Sequence, residues 1–265
     1  MPLGATHPLH IVVKLLLASL ASLVFSSSAM ADDAPGTDVP KLRMGVEAGH
    51  PPFNMRDASG QVVGFDVDIG NALCAKMKVE CEVVTSDWDL IIPALNNNAF
   101  DFLISSMSIT PDRLESVDFT TPYYTNKLQF LAPVTTDLKT DLPSLAGKNL
   151  GAQRDTFAGG WLQDNLGASA NILLYDTQQE LYDELAAGNL DAILADKYST
   201  FEWLKTDAGK NYEFKDKPID AADKIGIAVR KGDPLRDRLN QALQDLIRDG
   251  TYQKINDRYF PFSIQ

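Results

Sequence analysis

The chain has 265 residues, a formal net charge of −12 and two cysteines. This acidic balance disfavours nucleic-acid binding and docking on anionic membranes, because both require clustered Lys and Arg. The length fits one large domain or two small ones. A metal site is also disfavoured, since His7 and His10, two of the three histidines, fall within the N-terminal leader.

The N-terminal segment is typical of an export signal. A weakly basic start with Lys14 precedes the uncharged apolar run 15–25, and Ala29-Met30-Ala31 has the small-x-small pattern of a cleavage site. The apolar run is shorter than the roughly 20 residues that a membrane span needs. We therefore predict a signal peptide over 1–31, cleaved near Ala31, and a mature protein that lies outside the cytoplasm with no membrane insertion.

Strands and helices alternate after the leader. Residues 32–40 are polar with two prolines and predict a disordered lead-in. The predicted elements that follow are a strand over 42–46, a helix with Asp66 as its N-cap and Phe65, Ile69, Leu73 and Met77 on one face, a strand over 82–85, a helix over 90–98 and a strand over 101–105. This alternation predicts an α/β fold with parallel sheets and helices on both faces.

Cys74 and Cys81 are the two cysteines of the chain. In an exported protein an even count predicts one disulfide, which here would join a helix end to the strand after it. Two free thiols are the alternative.

The run 105–113 places hydroxyl side chains and an arginine directly after a buried strand. Residues 105–108 contain three serines, and Arg113 offers a fork of donors that fits a carboxylate with two parallel hydrogen bonds. The run is either half of a site for a free amino acid or a Ser-rich turn into a helix. In the second case Thr110 caps the helix and Pro111 takes its first position.

The segment 95–106 recurs in outline at 185–196. Each has a helix end, a tight turn, an aspartate and a short apolar strand, and they finish at Ser106 and Asp196 respectively. Ligands of open α/β sheets bind at the carboxyl ends of the strands. Two such units would therefore face Ser106 and Asp196 across one cleft, although chance similarity of two helix–turn–strand units is the alternative.

Two breaks divide the rest of the chain. Residues 119–126 and 218–224 are candidate crossings between lobes, and the last long helix opens at Asp233-Pro234 and ends at Gly250. Two crossings return the C-terminal part to the first lobe. We predict lobe 1 over 41–125 plus 222–265, and lobe 2 over 126–221.

Six motifs carry a resemblance to a known family. They are Gly45–Phe53, Gly64–Asp68, Trp88–Leu95, Asp101–Arg113, Val117–Tyr124 and Gly250–Tyr252. In this order and spacing the chain resembles the periplasmic solute-binding proteins of ABC transporters for polar amino acids, such as the lysine/arginine/ornithine, histidine and glutamine binders. The spacing of the two cysteines also matches a disulfide of the histidine and lysine binders.

The resemblance implies a type II periplasmic-binding-protein fold, in which two α/β lobes joined by two hinge strands close on a ligand in the cleft. It implies a monomeric receptor that binds a free amino acid, basic or amide-bearing, and delivers it to an inner-membrane ABC permease. It implies no cofactor and no enzymatic activity.

The resemblance also assigns roles to residues. Arg113 and Thr156 match the residues that hold the ligand α-carboxylate, Asp196 matches the acceptor of the α-ammonium, and Ser106 and Ser108 match groups that bond to both. The full predicted ligand-binding set is Glu47, His50, Phe53, Trp88, Ser105, Ser106, Met107, Ser108, Arg113, Arg154, Thr156 and Asp196.

Glu47 matches an acidic position that favours a cationic or amide-bearing ligand side chain, which His50 and Trp88 would sandwich. Two departures from the family pattern stand beside it. His50 replaces a common aromatic residue, and Asp155 replaces a glycine and adds negative charge near the predicted anion site. Arg154 either offsets that charge or reaches the ligand itself.

Two other functions compete with transport. Periplasmic cyclohexadienyl and arogenate dehydratases resemble the same family, but their chemistry needs a positioned general acid, and no matched catalytic set is evident. A sensing module that signals through a partner is the other alternative.

Overall fold

In the computed structural model, residues 39–265 are described and form one unit. The predicted signal peptide over 1–31 and most of the lead-in over 32–40 lie outside them. None of the helices within 39–265 has both the length and the apolar content needed to cross a membrane.

Strands and short helices alternate along these residues. The strands are β1 Lys41–Val46, β2 Gly49–His50, β3 Asn54–Arg56, β4 Val62–Val63, β5 Glu80–Thr85, β6 Phe102–Leu103, β7 Val117–Phe119, β8 Tyr124–Asn126, β9 Leu128–Pro133, β10 Asn149–Gln153, β11 Asn171–Tyr175, β12 Ala192–Asp196, β13 Tyr212–Lys215, β14 Asp223–Ile225 and β15 Ala228–Arg230. The helices are α1 Phe65–Met77, α2 Ile91–Asn96, α3 Pro111–Ser116, α4 Leu142–Leu145, α5 Phe157–Leu166, α6 Gln178–Ala186, α7 Lys197–Trp203, α8 Leu235–Arg248 and α9 Thr251–Tyr259, with 3₁₀ turns at Trp88–Leu90 and Gly209–Asn211.

Two five-stranded sheets organise the molecule. The first has the strand order β5-β1-β6-β15-β7, and the second has the order β11-β10-β12-β9-β13. In each sheet the three strands at one edge are parallel, whereas β15 and β9 run antiparallel to their neighbours. The prediction of parallel sheets is therefore wrong for one strand of each sheet, β15 and β9, which enter their sheets directly from a crossing.

Helices cover both faces of both sheets. In β6, Phe102 packs with α1, α8 and α9, while Leu103 packs on the opposite face with α2. In β12, Leu194 packs with α5, and Ile193 packs with α6 on the other side. Alternating side chains of a strand buried on both faces give the continuous apolar runs seen in the sequence.

The entry to α1 differs from the prediction. The N-cap is Gly64, with φ 131°, and the Asp66 side chain makes no capping bond. The Asp66 N–H instead donates to the backbone oxygen of Phe53 at 2.8 Å. The Asp66 carboxylate accepts instead from the side chains of Asn54, Ser106 and Tyr123. The predicted apolar face holds for Phe65, Ile69 and Leu73, which are fully buried.

Element boundaries elsewhere shift by a few residues. The helix predicted over 90–98 is the shorter α2 behind a 3₁₀ turn, and the strand predicted over 101–105 is only β6. The helix after Asp233-Pro234 is confirmed as α8, and Gly250 follows it with φ 77°. Thr110 caps α3 with Pro111 at its first position, so the capped turn is present.

The chain passes twice between the two sheets. β8 follows β7 of the first sheet and precedes β9 of the second, and β14 lies between β13 and β15. β8 and β14 pair with each other as an antiparallel two-stranded ribbon, with Asn126 opposite Asp223. The lobe limits given above stay a prediction.

Cys74 and Cys81 form a disulfide with a Cα–Cα distance of 6.1 Å. It ties the last turn of α1 to β5, as predicted, and the alternative of two free thiols is wrong.

Candidate functional site

A cavity lies where the carboxyl ends of strands from both sheets meet. This is the place where open α/β sheets bind ligands. The lining residues are Glu47, His50, Trp88, Ser105, Ser106, Ser108, Gln153, Thr156, Phe157, Ala158, Gln178, Leu194, Ala195 and Asp196.

The first sheet supplies hydroxyls and a carboxylate at the ends of β1 and β6. The Glu47 N–H donates to Ser105 Oγ at 2.9 Å, so the two strand ends are joined. The Ser106 hydroxyl donates to Asp66 at 3.0 Å, and Ser106 has φ 52°. The Tyr123 hydroxyl donates to the other Asp66 oxygen at 2.6 Å.

This network fixes the chain as it leaves β6. Burial raises the pKa of Asp66, although hydrogen bonds from Tyr123, Asn54 and Ser106 favour its charged form. The Asp66 carboxylate accepts hydrogen bonds from three side chains, one of which is Ser106. These bonds hold Ser106 in its positive-φ conformation, which residues other than glycine rarely adopt.

Arg113 and Trp88 lie on the side of the first sheet, and both donate to one backbone carbonyl on the side of the second sheet. Arg113 Nη2 donates to the backbone oxygen of Asp155 at 2.6 Å, and Nη1 donates to that of Ser108 at 2.8 Å. Trp88 Nε1 donates to the same Asp155 oxygen at 3.3 Å, with the guanidinium 5.3 Å from the Trp88 ring centroid. Burial lowers the pKa of Arg113 to about 10, while Asp223, Asp155 and Asp196 oppose the shift.

Thr156 caps α5 beside this carbonyl. Its hydroxyl donates to the Gln153 backbone oxygen at 2.7 Å and accepts from the Gly159 N–H at 3.1 Å. The first turn of α5 therefore points its amide groups at the cavity, and Ala158 of that turn lines it. A helix N-terminus with open amides attracts an anion.

His50 and Asp196 meet across the cavity. His50 is 7% exposed, and its Nε2 lies 3.2 Å from Asp196 Oδ2, an ion-pair distance without the alignment of a hydrogen bond. Burial alone would lower the pKa of His50, but Asp196, Glu47 and Asp66 together raise it above its usual value.

Glu47 lies opposite Gln153 at the end of β10. Gln153 Nε2 is 3.4 Å from Glu47 Oε1 and donates to the Asp176 backbone oxygen at 3.2 Å. Burial raises the pKa of the Glu47 carboxyl, against the opposing effects of His50 and Gln153.

Eight of the twelve predicted site residues line the cavity, and four do not. Arg113 borders a second, more open groove together with Met107 and Arg154. Phe53 is 1% exposed and stacks between His50 and Tyr124, at centroid distances of 5.6 and 5.0 Å. Arg154 pairs with Asp176 at 3.0 Å, away from the cavity.

Sequence reasoning missed six lining residues, of which Gln153 and Gln178 are the polar ones. Both are buried, at 5% and 7% exposure, although glutamine is an ordinary surface residue. Gln153 follows an apolar strand just as Ser105 does, so its position at a strand end was a usable signal. Within residues 39–265 no three His, Cys, Asp or Glu side chains group closely enough to hold a metal ion.

Comparison with known proteins then decides the family. The model of the bacterial extracellular solute-binding proteins, family 3, matches residues 42–262. The chain belongs to this family. The predicted α/β fold class and the resemblance drawn from the six motifs are confirmed.

Individual family 3 relatives are similar over nearly their whole length. The chain is 41% identical over 256 residues to the L-arginine-binding protein of Pseudomonas aeruginosa, covering 94% of this chain and 96% of the relative. It is 34% identical over 260 residues to the lysine/arginine/ornithine-binding periplasmic protein of Escherichia coli, covering 95% and 99%. Among solved structures it is similar to an ancestral arginine-binding protein bound to arginine, with a TM-score of 0.78, 32% identity and coverage of 83% and 98%.

Proposed function

We propose that this family 3 protein is the periplasmic receptor of an ABC transporter for a free α-amino acid with a basic or amide-bearing side chain. The observation that carries the proposal is the pairing of an anion site with a cation site across one cavity. The start of α5 with Thr156 forms the first, next to Arg113 in the adjoining groove, and Asp196 with Ser106 and Ser108 forms the second.

The anion site suits an α-carboxylate. Arg113 holds its guanidinium between the Ser108 and Asp155 carbonyls, and its remaining N–H groups are available for a bidentate contact. The N-terminus of α5 adds backbone amides next to it. A carboxylate closed in the cleft needs such partners, because burying it unpaired carries a large desolvation penalty.

The cation site suits an α-ammonium. Asp196 lines the cavity and already attracts one cation-capable group, His50, at 3.2 Å. The serine hydroxyls beside it can accept further N–H bonds, so that all three ammonium donors find acceptors.

A third group of residues would contact the ligand side chain. Glu47 offers a carboxylate in a largely buried position, which favours a cationic or amide group over an apolar or acidic one. His50 and Trp88 line the cavity as flat faces for the aliphatic stem. The names of the relatives, which cite arginine, lysine and ornithine, agree with this class.

Transport is supported over the competing functions. The named relatives are binding proteins, and one is named a periplasmic protein, which agrees with the predicted export signal. The receptor is proposed to act as a monomer that docks on an inner-membrane permease. The dehydratase reading has no comparable support among the named relatives.

A ligand screen tests the proposal. Thermal unfolding of the purified protein is followed with each free amino acid, ornithine, opines and polyamines, since a ligand of the folded state must raise the melting temperature. We expect the largest shift with a basic or amide-bearing amino acid. Shifts only with acidic or apolar ligands would contradict the role of Glu47, and conversion of prephenate or arogenate would favour the enzyme.

Arg113→Ala tests the anion site. Removing the guanidinium leaves the ligand carboxylate unpaired in a closed cleft, so we expect affinity to fall at least about a hundredfold. Isothermal titration calorimetry measures the loss, with circular dichroism to verify folding. Arg248→Ala is the matched control, because Arg248 is exposed and pairs only with Asp245 on α8.

A further inference from the structure

The ribbon of β8 and β14 buries a polar pair, Asn126 and Asp223, to which the proposed receptor function assigns no role. The two residues lie opposite each other and are 1% and 2% exposed. Tyr124 and Ile225 complete this buried face of the ribbon, and burial raises the pKa of the Tyr124 hydroxyl, which therefore stays neutral. Aspartate is almost never fully buried unless it is paired. Asp223 therefore needs a partner for its charge.

Asn126 satisfies only half of the Asp223 carboxyl group. Its Nδ2 donates to Asp223 Oδ2 at 2.7 Å, whereas neither Asp223 Oδ1 nor Asn126 Oδ1 has a hydrogen-bond partner within the described residues. Both of these atoms are acceptors, and buried polar atoms are hydrogen-bonded in the large majority of cases. A proton on Asp223 Oδ1 would make that oxygen a donor to Asn126 Oδ1. One proton would therefore satisfy both atoms, and the pair would share two hydrogen bonds.

The groups around Asp223 also favour a neutral carboxyl. Burial is the largest effect and, together with the Asp196 carboxylate, raises the pKa of Asp223 to about 6. The groups that favour its charged form are the Asn126 amide, the Ser108 hydroxyl and the Arg113 guanidinium. Asp196 ends β12 of the second sheet, whereas Ser108 and Arg113 follow β6 of the first. Asp223 is therefore influenced by charges on both sides of the cavity.

The end of β14 is bonded directly to the run that leads into the candidate site. The Ile109 N–H donates to the Lys224 backbone oxygen at 2.8 Å, and the Gly226 N–H donates to that of Met107 at 3.0 Å. Both bonds join the backbone next to Asp223 with the serine-rich run that precedes α3. A shift of the ribbon therefore moves this run with it.

Closure of the two sheets on a ligand changes the surroundings of Asp223. The α-ammonium of a bound amino acid, held by Asp196, would lower the pKa of Asp223, and its α-carboxylate, next to Arg113, would raise it. These two effects oppose each other and leave burial as the deciding factor. An opening of the sheets that admits water to the ribbon would favour the charged form of Asp223. Closure would accordingly favour the protonated form.

We propose that Asn126 and Asp223 form a proton-binding site in the ribbon between the sheets, and that closure on a ligand takes up a proton from solvent at this site. Asp223 is a positioning residue in this scheme, because it acts through the run 107–109 and not by touching the ligand. The proton site itself is independent of the proposed function, whereas its link to ligand binding rests on that function.

Urea unfolding tests the proton site in the absence of ligand. Asp223→Asn mimics the neutral carboxyl, because an amide also donates and accepts in a planar pair. The pKa of Asp223 is raised from 3.8 in the folded protein, so its contribution to stability is full below about pH 3.8 and is lost as pH rises through about 6. We expect the urea midpoint of wild type to fall over this range relative to that of Asp223→Asn. Asp220→Asn is the matched control, since Asp220 is exposed, and it should follow wild type.

Parallel urea profiles of wild type and a folded Asp223→Asn would overturn the proton site. Carbon-13 NMR of the aspartate carboxyl groups covers a variant that fails to fold, because it is measured on wild type. The assigned Asp223 signal should titrate near pH 6. A carboxyl that stays ionised at every pH above about 5 would also overturn the site.

Calorimetry in two buffers of different ionisation enthalpy tests the link to ligand binding. L-Arginine is the probe, in line with the names of the relatives. At about pH 6, wild type should take up at least about 0.3 proton more per bound ligand than Asp223→Asn, while Asp220→Asn matches wild type. His50 contributes alike to all three proteins, so the difference belongs to Asp223.

Two further outcomes separate the inference from the receptor function. Equal proton uptake by wild type and Asp223→Asn would overturn the link to closure. A wild-type protein that binds no amino acid would instead refute the receptor function, and the urea and NMR results would still decide on the proton site.

Discussion

At the scale of single residues, the contact between His50 and Asp196 distinguishes this site from one that has a non-titratable aromatic residue in place of His50. A histidine 3.2 Å from the proposed ammonium acceptor can occupy that acceptor itself when it is protonated. The ligand ammonium and the imidazolium then compete for one carboxylate. Glu47 and Asp66 also face His50 and favour its protonated form.

We expect affinity for a basic amino acid to rise with pH through the raised pKa of His50. Below that pKa the ring is cationic, holds Asp196 and repels a second cation, and above it Asp196 is released to the ligand. Protonation of Glu47 at low pH acts in the same direction. Calorimetry from about pH 5 to 9 measures the profile, and His50→Phe should flatten the part that belongs to the histidine. An identical slope in wild type and variant would contradict this.

In the ligand-free protein, we expect the contribution of His50 to folding stability to fall as pH rises, whereas the affinity for the ligand rises with pH. The pKa of His50 is higher in the folded protein than its usual 6.5, so its contribution to folding is fully present below about pH 6.5. That contribution is lost as pH rises through the folded-state pKa. Urea unfolding of wild type and His50→Phe over the same range measures it.

The sequence predicted those site residues that local motifs mark and missed those that only tertiary structure brings in. Ser106 and Asp196 stand at strand ends, so their positions beside the cavity followed from pattern, whereas Arg113 lies in the adjoining groove. Gln178 is the first residue of α6, and no local sequence pattern distinguishes it from Gln179. Only the approach of α6 to β2 makes one of the two a cavity residue.

At the scale of elements, the same limit applies to α1. Asp66 has the side chain of a good N-cap, and local reasoning placed it there. The packing of Phe53 against Gly64 and the need to hold Ser106 override that preference. Most strands and helices were otherwise predictable, since their apolar periods and the Thr110–Pro111 and Asp233–Pro234 signals are local.

The disulfide is expected to stabilise α1 without touching the site. Cys74 and Cys81 close a short loop, so Cys74→Ala with Cys81→Ala should lower the free energy of unfolding by about 2 kcal/mol, at the low end for such bonds. Ligand affinity should stay within about twofold, because the bond lies at the far end of α1 from the cavity. Urea unfolding and calorimetry check the two parts, and a large loss of affinity would show that α1 transmits strain to Ser106.

At the scale of the whole molecule, four contacts hold the two sheets in a closed arrangement around the cavity. Trp88 and Arg113 share the Asp155 carbonyl, and the other two join Gln153 with Glu47 and His50 with Asp196. All four use residues proposed to bind the ligand. Closure and ligand binding are therefore coupled through shared side chains.

Trp88→Phe tests how much the closed state depends on the hydrogen bond from Trp88 to the Asp155 carbonyl. The variant keeps an aromatic face but loses the donor to Asp155, so the closed population and the apparent affinity should fall about two- to tenfold. Dissociation should become faster in stopped-flow measurements, and small-angle scattering should show a larger radius of gyration without ligand. Trp203→Phe is the control, because Trp203 stacks on Tyr182 within the second sheet's core. Equal effects in both variants would argue against a latch at Trp88.

The strand order of the first sheet has a consequence for biogenesis. β15 stands between β6 and β7, yet residues 228–230 are made long after their neighbours and after every strand of the second sheet. The N-terminal half of a nascent chain therefore cannot complete its sheet during synthesis, and its long-range contacts must form slowly and late. A precursor delayed in this way stays unfolded for longer, which would suit the export that the N-terminal sequence predicts.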